Sequence, residues 1–271
     1  MTTVISNQTM KELQLNILGD VIRFCEENEI RYFLSGGSML GAVRHGGFIP
    51  WDDDIDLCMP RSDYLRFLAE YKHDRFKVCA WDMDSDFRCT YAKVSDSRTT
   101  LEENADFNRE LGVNIDIFPV DGLPEKVRSR KWFVSYMTFL NRLASFVILK
   151  DLSKREPLKA IIITAVQGIV KGLKLESKLI GYVIERAQTY SFAEASHVGV
   201  VVWGYGLKEI FHKETMTDYL TVPFEHYQVS ILKEYETYLS QIYGDYMTFP
   251  PEEDQIATHQ SQARWKEDWI D

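Results

Sequence analysis

The chain has 271 residues, 45% of them hydrophobic and 27% charged, which is enough apolar material for one large domain or two small ones and excludes a disordered chain. A formal net charge of −10 argues against nucleic acid as a partner, because phosphate binding draws on Lys and Arg. Four cysteines, Cys25, Cys58, Cys79 and Cys89, form no CxxC pair and have no His at zinc-finger spacing, so they are expected as buried thiols in a reducing compartment.

The first residues, MTTVISNQTMKELQ, lack a basic segment followed by an apolar one; no secretory signal is expected, and the reading is cytoplasmic. Residues 8–28 repeat Leu13, Ile17, Val21 and Phe24 at helical spacing and predict an amphipathic helix. A short strand is expected at 30–34, a turn at Ser35-Gly36-Gly37-Ser38 and a short helix at 39–45. Residues 55–59 alternate as a second strand, and 61–71 predict a helix capped by Ser62. Segments 76–81, 89–94 and 113–118 complete a small sheet.

Residues 125–180 read as helical and basic. Twelve Lys and Arg against four Asp and Glu give this segment +8 and the rest of the chain −18. Such a segment either lies on an anionic membrane surface or is an ordinary helical subdomain with a solvated face. Its most apolar stretch, residues 160–170, is interrupted by Gln167 and falls well short of the roughly 20 residues that span a bilayer. From Ser196 onward strands and helices mix; a helix at 233–242 ends near Gly244, and Pro250-Pro251 stops regular structure. The expected division is a core at 1–124, a basic helical subdomain at 125–195 and a C-terminal portion at 196–271 that completes the donor and acceptor site.

The chemistry concentrates in Trp51-Asp52-Asp53-Asp54-Ile55-Asp56-Leu57. On a strand, Asp52, Asp54 and Asp56 share one face while Ile55 and Leu57 enter the core. Converging carboxylates repel unless a cation sits among them, and Mg²⁺ or Mn²⁺ prefers such oxygen ligands. An EF-hand is excluded: counted from Asp52, its Gly and Glu positions hold Leu57 and Asp63. The run Asp82–Asp86 fails the same test, with Phe87 and Lys93 there, and reads as a solvated turn. Asp116, between Ile115 and Ile117, is either a satisfied buried acid or the third arm of a metal site. Gly36-Gly37-Ser38 is a place where backbone N–H groups can approach a phosphate. Arg44 and His45 follow, either reaching phosphate oxygens or lying as a surface Arg and a cap His.

Ser35–Ser38, Asp54-Ile55-Asp56 and Ile115-Asp116-Ile117 together resemble the nucleotidyltransferase-superfamily pattern. More narrowly, LSGGSMLGAVRHGGFIPWDDDIDLCMPRSDYLRF resembles the signature of the LicD family, supported by GVNIDIFPVDG, VPFE and YGDYMTFPP downstream. The likeness covers most of the chain, most weakly the helical middle; the fukutin-type ribitol-phosphate transferases look like distant relatives. It departs at Phe211-His212, where Phe-Pro is common, and at Ile231, where a Pro is frequent, which leaves acceptor choice open.

The resemblance implies an α/β (α+β) fold: a nucleotidyltransferase-like small mixed sheet flanked by helices, with an inserted helical region and a C-terminal α+β portion. It implies transfer of phosphocholine from CDP-choline to a sugar hydroxyl of a lipid-linked glycan precursor, teichoic acid or similar, at the inner membrane face. Asp54, Asp56 and Asp116 would be catalytic and hold Mg²⁺ or Mn²⁺, with Asp116 a candidate base. Gly36, Gly37, Ser38, Arg44, His45, Lys93, Tyr243, Asp245 and Tyr246 would bind the donor. Trp203, Tyr205 and Phe249, with Tyr243 and Tyr246 nearby, would cage the choline, or simply pack in the core. Three alternatives stay open: transfer of glycerol or ribitol phosphate, nucleotidyl transfer to a small molecule, and a non-enzymatic membrane-surface adaptor.

Overall fold

Ser6 opens the first helix, α1 (Asn7–Glu27), where its side-chain oxygen accepts a hydrogen bond from the Thr9 N–H. The expected apolar repeat forms its inner face: Leu13, Ile17 and Val21 are buried, and Phe24 packs against the same core. The computed structural model describes residues 3–153, 155–256 and 262–269.

A two-residue strand, β1 (Phe33–Leu34), leads directly into α2 (Gly36–His45). The expected turn at residues 35–38 is therefore corrected: Ser35 is the N-cap and Gly36–Ser38 form the first helical turn. The backbone makes that entry at Gly36, whose φ of +51° is a left-handed value open to glycine. Next come β2 (Asp56–Pro60) and α3 (Arg61–Glu70). Ser62 does not cap α3. The N-cap is Pro60, and Asp63 supplies the negative charge that the first turn favours.

The strands β3 (Phe76–Cys79), β4 (Ala92–Asp96), β5 (Thr99–Glu102) and β6 (Asn114–Gly122) follow. The main sheet has the order β1-β2-β6-β4-β3, and β2 and β6 run parallel in a ladder that is otherwise antiparallel. After Asp56, β2 is buried at every position, as suits a strand with neighbours on both edges. Arg61 clamps the two parallel strands: its guanidinium donates to both carboxylate oxygens of buried Asp121, each at 2.7 Å.

Residues 125–180 are helical, as expected: α4 (Val127–Ile148), α5 (Pro157–Gly172) and α6 (Glu176–Ala187). α4 and α6 send Phe133, Met137, Leu140, Val183 and Ile184 into the main core, whereas α5 buries only Ile163. Strand β7 (His197–Gly199) joins β6, and β8 (Phe211–His212) joins β7. A hairpin of β9 (Tyr219–Phe224) and β10 (Tyr227–Leu232) precedes α7 (Tyr235–Tyr243), which ends at Gly244 as expected. Finally β11 (Gln262–Trp265) pairs with β5. A mixed sheet with segregated helices is the expected α+β class. Among the described residues no helix is long and apolar enough to cross a membrane.

Candidate active site

The parallel pairing of β2 with β6 sets Asp56 directly opposite Asp116. Two carboxylates on one rung of adjacent strands face the same way, and both are half-buried. Burial raises Asp56 well above the usual carboxylate range, and Asp54, Asp116 and Asp52 add to the rise. Burial also raises Asp116, against the pull of Lys93.

The other acids arrive by a different route from the one expected. Residues 52–55 are not in a strand, so alternation does not align Asp52, Asp54 and Asp56. A tight turn, in which the Asp52 N–H donates to the Ile49 carbonyl, bunches Asp52, Asp53 and Asp54 instead. Each offers a carboxylate oxygen, and these oxygens all lie within 4.8 Å of one another. The loop is tied down by Gln14 of α1, which donates to the Asp53 carbonyl at 2.9 Å and to the Asn114 carbonyl at 3.3 Å. The carboxylates therefore form a bunch of three beside a sheet pair. Oxygen donors in this density suit a hard divalent cation.

The N-terminus of α2 closes the other side. A Cβ at Gly37 would lie 2.7 Å from Asp52 Oδ2, so a larger residue there would push that carboxylate aside. One at Gly36 would stand 3.7 Å from Asp56 Oδ2, 3.4 Å from the Tyr205 hydroxyl and 3.6 Å from the Tyr243 hydroxyl. The two tyrosine hydroxyls share a 2.6 Å hydrogen bond. Ser38 is buried and accepts from the Asp56 N–H at 2.9 Å, so its side chain braces the acid. The Gly36 N–H donates to the Tyr238 hydroxyl at 3.2 Å.

Lys93, only 3% exposed, donates to Asp116 Oδ1 at 2.8 Å, Asn114 Oδ1 at 3.1 Å and Glu103 Oε1 at 3.4 Å. Burial works against its charge, but Asp116 and Glu103 raise it above ordinary lysine. It holds Asp116 in place from within the sheet.

Several expected donor residues form a second cluster around Trp51 and Phe249. Arg44 and His45 lie at the far end of α2, about 13 Å along the axis from Gly36 at 1.5 Å per residue. Arg44 donates to the Tyr246 carbonyl at 2.8 Å and covers the Phe249 ring at 4.7 Å. Phe249 also meets the rings of His45 and Trp51 edge-on. Asp245 accepts from the Thr248 hydroxyl at 2.6 Å, within the same loop. The five aromatic cage candidates thus divide. Trp203 and Tyr205 line a cavity of about 180 Å³ beside Asp56, with Tyr243 adjoining through Tyr205, while Tyr246 and Phe249 belong to the Arg44 cluster.

Sequence reasoning missed Gln14, Tyr238 and Glu209. Gln14 carries a signal, a lone amide on the apolar face of α1. Glu209 has one too, as the acid within the aromatic WGYGLKEIF segment. Tyr238 carries none, since a tyrosine inside an amphipathic helix reads as core.

Residues 29–150 match the LicD/FKTN/FKRP nucleotidyltransferase domain family. The lipopolysaccharide cholinephosphotransferase LicD of Haemophilus influenzae is 32% identical over 266 residues, covering 94% of this chain and 97% of that protein. The ribitol 5-phosphate transferase FKRP of Homo sapiens is 57% identical over 37 residues, 14% of this chain and 8% of that one; the Mus musculus protein gives the same figures. With near end-to-end similarity to one member at 32% identity, the chain belongs to the LicD family of phosphotransferases.

Proposed function

We propose that this enzyme transfers phosphocholine from CDP-choline to a hydroxyl of a cell-surface glycan precursor. The supporting observation is the face-to-face setting of Asp56 and Asp116, with the carboxylates of Asp52–Asp54 beside them and the first turn of α2 opposite. Similarity over almost the whole length to a cholinephosphotransferase favours choline as the alcohol.

Mg²⁺ or Mn²⁺ would be held by Asp54, Asp56 and Asp116, with Asp52 and Asp53 as further oxygen donors, and when bound would neutralise the diphosphate of the donor. Asp56 and Asp116 fit that role because burial and neighbouring carboxylates raise both, against the pull of Lys93. The N-terminal turn of α2 presents its dipole and backbone to the phosphates. The acceptor oxygen attacks the choline-side phosphorus, the bond from that phosphorus to the CMP oxygen breaks, and CMP leaves. Asp116, tied to Lys93 through one oxygen, is held rigidly enough to orient the incoming hydroxyl and accept its proton.

The test is a panel of CDP-alcohols with Mg²⁺ and a glycan acceptor. CMP release with CDP-choline supports the reading. A nucleotidylated acceptor would place the chain among nucleotidyl-transferring relatives, and preference for CDP-ribitol would favour the reading that the short, dense match to FKRP suggests. A chain that binds no divalent ion, and is indifferent to Asp54→Asn, would be an adaptor.

The same reading places the enzyme at a membrane surface through α5. Leu158, Ile161, Ile162, Ile169 and Leu173 are each more than half exposed, and they fall on one side of that helix and its cap. Lys159, Lys171, Lys174 and Lys178 accompany them. An apolar stripe among lysines is complementary to an anionic bilayer, where a lipid-linked acceptor would be carried.

A further inference from the structure

Glu209 closes a short 3-10 turn (Gly206–Glu209) and is 2% exposed. Its carboxylate takes hydrogen bonds from the backbone of Tyr205 and Val200, yet Oε2 has no hydrogen-bond partner. It lines the cavity of about 180 Å³ that opens beside Asp56. Among the described residues no Lys or Arg lines that space; the other titratable groups there are Asp56, Cys58, Tyr205 and Tyr238. The neighbouring Lys208 is engaged elsewhere, its ammonium donating to the Ile242 carbonyl at 2.5 Å. Gly204, with φ of +108°, lets the chain pass so close that a Cβ there would stand 2.9 Å from Glu209 Oε1.

A buried carboxyl without a counter-charge costs several kcal/mol if ionised, and a hydrophobic side chain of equal size would avoid the penalty. Burial accordingly pushes Glu209 up to about 8. A ligand that brings the missing positive charge removes the penalty.

We propose that Glu209 is the counter-ion for the cationic head of the transferred alcohol, which sits in the cavity beside Asp56 among Trp203, Tyr205 and Tyr238. This deepens the phosphocholine reading and rests on it. A quaternary ammonium has no hydrogen to donate, so it is recognised by aromatic surface and a nearby negative charge, and both are present. The cavity holds about six waters' worth of space at liquid density, ample for a nitrogen and its three methyl groups. Choline links that nitrogen to its phosphate oxygen through two carbons. A head group in the cavity therefore leaves the phosphorus close to Asp56, which lines the same space.

The test compares wild type with Glu209→Gln, which keeps shape and one acceptor oxygen. Steady-state transfer is measured with CDP-choline and CDP-glycerol, and choline chloride alone is titrated by calorimetry at pH 7 in two buffers of different ionisation enthalpy. The expected result is a KM for CDP-choline raised about tenfold or more, with a much smaller change in the KM for CDP-glycerol, which carries no cationic head. Choline binding should release close to one proton from the wild type and none from the variant. Unchanged kinetics on CDP-choline, equal losses on both donors, or choline binding without proton release would overturn the assignment while leaving choline transfer intact. If wild type turns over no CDP-choline and binds no choline, the functional reading itself fails. A cooperative melting transition for the variant at or above the wild-type temperature confirms that it is folded.

Discussion

Lys93 and Asp116 are partners across β4 and β6, and the lysine ammonium lies 2.8 Å from Asp116 Oδ1. Asn114 and Glu103 complete its shell, so one buried cation serves two acids. Lys93→Met keeps the volume and leaves those acids uncompensated. The expected cost is about 3–5 kcal/mol, the usual range for breaking a buried pair from one side. It should appear as a lower urea midpoint at unchanged slope. A variant as stable as wild type would mean that the lysine carries no such burden.

Asp56→Asn separates function from stability in opposite directions. Asp54, Asp116 and Asp52 all push against the Asp56 charge. Removing it without divalent ions should therefore stabilise the protein, by about 1 kcal/mol. The same change removes a proposed metal ligand, so transfer should fall at least about a hundredfold, a loss of more than ~2.7 kcal/mol in barrier terms. The rise in melting temperature that Mg²⁺ gives wild type should shrink or vanish. Destabilisation in EDTA would show that repulsion is not the dominant force among these acids.

The acids were legible in the sequence, but their arrangement was not. Asp56 and Asp116 follow from hydrophobic alternation around them, because strands of period two announce which side is wet. Asp52–Asp54 defeat that rule. Their geometry comes from a turn at Ile49–Asp52 and from Gln14, which reaches the loop from a helix 39 residues earlier. The helices of residues 125–180 were legible for the same reason as α1, namely their periodicity. The positions of Tyr238 and Glu209 were not. The Gly36–Tyr238 hydrogen bond joins residues 202 apart, and β7, β8 and β11 are too short for local pattern to reveal their pairing. Arg44 is a case where local pattern is silent: its contacts with the Tyr246 carbonyl and the Phe249 ring join residues about 200 apart in the chain.

The division of the aromatic residues predicts unequal effects on donor use. Trp203 lines the cavity beside Asp56, whereas Phe249 packs with His45, Trp51 and Arg44. Trp203→Ala should raise the KM for CDP-choline roughly five- to thirtyfold, the range that corresponds to about 1–2 kcal/mol of cation–π interaction. Phe249→Ala should leave the ratio of choline to glycerol transfer where it is in wild type. Equal shifts of that ratio in both variants would erase the distinction.

Glu209 gives a pH dependence of stability with a definite sign. Its carboxyl keeps a proton up to about pH 8 in the folded chain and releases it near the ordinary value of 4.5 when unfolded. Between those values the folded chain binds more protons, so stability falls as pH rises across that window; outside it, this group contributes no slope. Glu209→Gln should therefore match wild type below pH 4.5 and exceed it increasingly up to pH 8, by an amount on the order of 3–5 kcal/mol. Calorimetric melting in EDTA, without choline, measures the difference. A constant offset between the two proteins across the range would mean that the carboxyl titrates normally.

The exposed side of α5 makes a prediction independent of the active site. Ile161 and Ile169 are 66% and 63% exposed, so replacing both with Glu should not disturb the core. On a bilayer the same change removes two apolar anchors and sets two negative charges against anionic lipid. Wild type should float with vesicles containing phosphatidylserine or phosphatidylglycerol, and less so as salt is raised, because the lysines act through a screened field. The double variant should stay in solution at every salt concentration, with an unchanged melting temperature and unchanged turnover on a short, lipid-free acceptor. Turnover on a lipid-linked acceptor in the same vesicles should fall, since only docking concentrates enzyme and acceptor on one surface. Wild type that ignores anionic vesicles, or a double variant that binds them equally well, would leave α5 without a membrane role.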